Sequence, residues 1–170
     1  MEQEKPRHPS LTNPKAMRAA ASTATRAGDL AFEIFTKVNN AKDKAKKVDV
    51  LKEHDTPPLR QLLKAAFYDK ITWDLPEGTP PYIENEAPAG TEHLTLLDEA
   101  KKLYLFIKGG STIPKLRKET LFIQMLEGLH KDEAKTLIDI KEKRLNNQFK
   151  GLTESVVKEA FGWNDDFMQK

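Results

Sequence analysis

"LKEHDTPPLRQLLKAAFYDKITWDLPEG", Leu51 to Gly78, holds one helix end, a complete second helix and an irregular exit. Thr56 offers a side-chain acceptor just ahead of Pro57 and Pro58, whose missing N–H groups cost nothing in a first helical turn. Leu59, Leu62, Leu63, Ala66 and Phe67 then recur at i, i+3, i+4, i+7 and i+8, which lines them up on one core-facing side of a helix. Trp73, Leu75 and the Pro-Glu-Gly turn end that periodicity.

Toward the N-terminus the same grammar continues. "AKDKAKKVDVLKEH" reads as a strongly charged helix with a narrow stripe of Ala45, Val48 and Leu51, Val50 lying beside it. Before it, Asp29 is expected to cap "LAFEIFTKVNN", where Leu30, Phe32, Ile34 and Phe35 supply apolar bulk. Toward the C-terminus, Lys70 to His93 breaks the pattern with four prolines and two glycines. A loop of that length in a compact domain is an irregular excursion packed on the helices, and Trp73, Leu75, Tyr82 and Ile83 are its expected anchors. "LTLLDEAKKLYLFIKGG" opens on Thr95 and stops at Gly109-Gly110. "PKLRKETLFIQMLEGL" points Leu121, Phe122, Met125 and Leu129 inward, and "KDEAKTLIDIKEKRL" carries acids in its first turn and cations in its last. A short closing helix starts at Thr153 and leads to Phe161 and Trp163. The expectation is an all-α chain: a single compact domain of about seven helices with a long irregular loop.

Residues 1–27 read differently. They hold Pro6, Pro9 and Pro14, many small or polar residues and little large apolar bulk, too little to offset the entropy of ordering. A flexible, mildly basic tail is expected there, followed by one helical domain over 28–170.

Composition narrows the function classes. No run of about 18 apolar residues exists to cross a bilayer, no apolar segment follows the first residues "MEQEKPRHPS", and there is no cysteine, so neither a membrane role nor an exported disulfide fold is expected. His8, His54, His93 and His130 show no metal-ligand spacing. Asp98-Glu99 and Asp132-Glu133 stand at helix starts, where the helix dipole accounts for them, and Asp165-Asp166 lie in the tail. "KGGST" lacks the strand and the Gly-Lys-Ser/Thr of a phosphate loop and reads as a helix stop. No catalytic constellation, metal or cofactor is expected.

Two basic clusters remain. Lys42, Lys44, Lys46 and Lys47 are diluted by Asp43 and Asp49 and are either the wet face of a helix or a phosphate contact. Lys141, Lys143, Arg144 and Lys150 surround the loop "NNQFKG", where amides and a glycine beside cations suit sequence-independent contacts to phosphate and sugar. They also complement a helix C-terminus.

From about Ala31 to Trp163 the order of pieces resembles the all-helical N-terminal DNA-binding domain of tailed-phage ATP-dependent DNA ligases. The resemblance is carried by "VLKEHDTPPLRQLLKAAFY" with its W-x-L-P-E-G loop, "LTLLDEAKKLYLFI", "LFIQMLEGLHKDEAKTLIDIKEKRL" and "GLTESVVKEAFGW". The chain is also similar to small proteins of marine myoviruses. The ligase family's Lys-x-Asp-Gly nucleophile motif is absent, so self-adenylation is not expected. Where that family reads Leu-Arg-x-Gly, this sequence has "IKEKRL", which puts Lys141 in the arginine position and Lys143 in the glycine position. The resemblance implies a non-catalytic, phage-encoded module in the cytoplasm of an infected host cell or attached to the virion. Its partner would be duplex DNA, gripped through the backbone by both basic clusters. The alternative is a protein-interaction or virion-associated structural module without DNA binding, presenting an apolar patch along Trp73, Tyr82 and Ile83.

Overall fold

The computed structural model describes residues 29–87 and 94–170. The tail expected over 1–27 lies outside the described residues. Eight α-helices and one 3-10 segment make up the described chain: α1 Ala31–Asn40, α2 Lys44–Glu53, α3 Pro57–Phe67, α4 Leu96–Glu99, the 3-10 segment Ala100–Phe106, α5 Lys115–Gly128, α6 Lys131–Lys141, α7 Leu145–Gln148 and α8 Glu154–Phe161. The extended pairings among the described residues are isolated bridges, such as Trp73 with Ile107. The fold is all-α.

The caps follow side-chain chemistry. Asp43 accepts from the Lys46 N–H at 2.9 Å, and Thr56, Thr95 and Thr153 accept from Leu59, Asp98 and Val156. Asp29 does not cap α1. Leu30 occupies the N-cap and donates its N–H to Glu33 Oε1 at 2.7 Å, while Asp29 pairs with Lys37 and His54, which hold its carboxyl below the usual range.

α6 runs through the centre and touches α1, α3, α4, α5 and α7, while α2 packs against α1 and α8. Enclosure explains why polar residues of α6 are buried: Glu133 accepts the Leu96 N–H at 3.0 Å, and Asp139 accepts from Arg144 at 3.2 Å. Leu59, Leu62, Leu63 and Ala66 enter the core as the periodicity requires. The helix expected to run from Thr95 to Gly109 is α-helical for only four residues and then tightens, because Ala100, Leu103 and Phe106 repeat every third residue and all face inward. Residues beyond α8 fold back: Gly162 ends that helix with φ +65°, and Phe167, 4% exposed, packs its ring against Trp163 and Tyr68. Arg60 of α3, paired with Asp55, lies over the rings of Phe161 and Trp163 and ties this end to the core.

Candidate nucleic-acid interface

The first basic cluster occupies the corner where α1 gives way to α2. Lys42, Lys44 and Lys46 are exposed. Lys47 is half-buried and donates to the carbonyl oxygens of Ala41 (2.6 Å) and Asn39 (3.3 Å), satisfying the end of α1. Lys44 reaches across to α8, donating to Ser155 Oγ at 2.7 Å and facing Glu159 at 3.5 Å.

The turn after α7 meets this corner. The Gly151 N–H donates to Asn39 Oδ1 at 2.7 Å, and a Cβ at Gly151 would stand 2.9 Å from Lys47 Cε. Only a glycine lets the backbone come this close without displacing Lys47. Exposed Lys150, adjacent to Gly151, therefore joins Lys42 and Lys46 at one edge, and these three cations form no ion pair with a described residue.

Within the rest of the second cluster the ammonium groups of Lys141 and Lys143 are turned onto backbone carbonyls, which corrects the expectation that these two face phosphates, whereas Arg144 stays exposed. Lys141 is 6% exposed, pairs with Glu142 and donates to the carbonyl oxygens of Pro76 (2.9 Å) and Gly78 (3.0 Å). Lys143 keeps an open stem but donates its ammonium to Ala65 O at 2.6 Å and Tyr68 O at 2.8 Å, closing the end of α3. Burial of that ammonium lowers its pKa to about 8, against the opposing pull of Asp69. Lys143 also adopts φ 60°, the left-handed region that glycine favours. Arg144 is held by Asp139 at its Nε. Lys141 and Lys143 are consumed by loop and helix ends, while Arg144 spends one N–H on Asp139 and remains exposed.

The loop anchors divide likewise. Trp73 is buried, edge-to-face with Phe122 at 6.5 Å, and is not available as a partner anchor. Tyr82 is half-buried against the core, and desolvation raises its pKa. Ile83, 79% exposed, is the member of that trio that faces outward.

A profile of a family described as "Family of unknown function (DUF6433)" matches residues 34–147. The chain belongs to this family. The DUF6433 match runs from within α1 to within α7 and includes the Lys42–Lys47 corner, the central helix and the Lys141–Arg144 turn; Lys150 and α8 lie beyond it. No curated protein and no solved structure matches the chain. Among the described residues no group of three His, Asp or Glu side chains is placed to hold a metal ion, and no helix is long and apolar enough to cross a membrane.

Proposed function

We propose that this chain is a non-catalytic module that binds duplex DNA through its backbone, using the edge formed by Lys42, Lys46 and Lys150. The meeting of Gly151 with Asn39 and Lys47 supports this reading, because it unites two basic segments that stand far apart in the sequence. Three cations without acidic partners among the described residues, together with the exposed amides of Asn146 and Asn147, offer contacts to phosphate and sugar oxygens, which carry no base identity. The same partner is implied by the resemblance to ligase N-terminal domains.

The test is fluorescence anisotropy with nicked and intact duplexes at roughly 50 mM salt, where phosphate contacts are least screened. Lys42→Ala/Lys46→Ala/Lys150→Ala should weaken binding about equally for unrelated sequences. It should also flatten the dependence of log affinity on log salt by about 0.9 for each phosphate no longer neutralised. A wild-type chain that binds no duplex, or a triple variant that binds like wild type, overturns the reading.

A further inference from the structure

The stretch from Ala100 to Lys118 contains Lys101, Lys102, Lys108, Lys115, Arg117 and Lys118 and neither aspartate nor glutamate. Three residues per turn send Ala100, Leu103 and Phe106 into the core. The same repeat stacks Lys101 and Tyr104 on the outward side, one turn or roughly 6 Å apart. Tyr104 is 53% exposed, a large aromatic surface left in water beside a cation. Lys108 lies four residues on, past the end of the 3-10 segment; its N–H donates to Thr72 O at 2.8 Å, and it lines a cavity of about 230 Å³ with Trp73, Asp74, Lys115 and Glu119.

Two acids line that cavity, Asp74 and Glu119, and Asp74 is already engaged. Asp74 accepts from buried Lys118 at 2.8 Å and faces Lys115 at 3.5 Å. Lys101 and Lys108 have no ion pair with a described residue, although Glu119 shares the cavity of Lys108, so Lys101 is the more open of the two to an external anion. This face is also separate from the Lys42–Lys150 edge: the 3-10 segment packs on α3, α4 and α5, whereas α2 packs on α1 and α8.

We propose that this face binds single-stranded nucleic acid, with a base stacked on the Tyr104 ring and backbone phosphates at Lys101 and Lys108. An exposed ring between cations is what an unpaired strand recognises, since its bases present free π-faces while its phosphates follow the charge. A duplex keeps those faces stacked inside. An acidic peptide would satisfy the lysines and leave the ring without a role.

The probe is a labelled oligothymidylate of about 16 nucleotides, the upper end of single-strand site sizes, bound to the full chain and read by anisotropy. Tyr104→Ala should weaken binding by about tenfold and Tyr104→Phe should retain it, because stacking needs the ring rather than the hydroxyl. Lys101→Ala/Lys108→Ala should lower affinity and flatten the salt dependence by about 0.7 for each phosphate no longer neutralised. The loss caused by Tyr104→Ala should be the same fold-change in the wild-type and the Lys42→Ala/Lys46→Ala/Lys150→Ala backgrounds, so failure of the duplex reading leaves this result intact. If Tyr104→Ala does not fold, the Tyr104 ring proton shifts of the wild-type chain decide the point, since a stacked base moves them upfield. No association with the oligomer, unchanged affinity in folded Tyr104→Ala, an unshifted ring, or equal competition by oligoglutamate each overturns the proposal.

Discussion

Lys141 donates from Nζ to the carbonyl oxygen of Gly78 at 3.0 Å, and its neighbour Glu142 accepts the Gly78 N–H at 3.0 Å. The end of the central helix therefore grips both polar groups of one loop residue, which itself adopts φ +87°. Lys141→Ala leaves the Pro76 and Gly78 carbonyls without their donor and Glu142 without its counter-ion. The expected cost is about 2–4 kcal/mol, read from urea midpoints, with faster hydrogen exchange at the Gly78 amide. A cost below the measurement error would show that the clasp contributes nothing.

Lys143 supplies a pH test. Its folded pKa of about 8 lies below the ordinary lysine value of 10.5, so between those values the unfolded chain binds more protons and stability rises with pH. Below pH 8 the ammonium is charged in both states and the cost of burying it is fully present. The neutral amine keeps two N–H donors for Ala65 and Tyr68, so both contacts survive deprotonation in weaker form. Relative to Lys143→Met, the wild-type chain should gain stability from pH 8 to 10.5 and run parallel below pH 7. Parallel curves throughout would place the ammonium in water.

Trp73 separates packing from polarity. Trp73→Ala should cost roughly 3–5 kcal/mol through the cavity left against Phe122. Trp73→Phe should cost far less, because the buried indole N–H has no acceptor among the described residues and no hydrogen bond is forfeited. Equal losses in the two variants, measured by chemical denaturation, would reveal a polar contact at the indole.

Gly110 tests the end of the 3-10 segment. A Cβ there would overlap the Tyr104 carbonyl oxygen, a backbone atom that cannot rotate away. Gly110→Ala should therefore destabilise by about 1–3 kcal/mol and lower the thermal midpoint. A midpoint equal to wild type would mean that the turn relaxes freely.

Much of the fold was legible because its signals are local. Thr56 with Pro57 and Pro58, Thr95 and Thr153 act on N–H groups three residues away, and the apolar spacing of α3 selects its buried face from the helical repeat alone. Asp29 misled because its carboxylate is taken by Lys37, two turns along α1, and by His54, which arrives from the end of α2. The 3-10 segment was hidden because Leu103 and Phe106 fit an α-helical stripe almost as well as a three-residue repeat. Phe167 was missed because only the fold-back after Gly162 delivers it to Trp163 and Tyr68.

The candidate site was much less legible. Lys141, Lys143 and Lys150 are chemically alike in the sequence, yet Lys141 and Lys143 end on carbonyls 63 and 75 or more residues away, while Lys150 stays in solvent. A lysine stem is flexible and its ammonium serves a carbonyl as readily as a phosphate, so neighbours in space decide its role. By itself the sequence determined the helical class, most caps and the inward face of the amphipathic helices, since those depend on residues within a turn of one another. Tertiary structure alone decided which cations remain available, because the carbonyls and carboxylates that capture the others are delivered by the path of the chain.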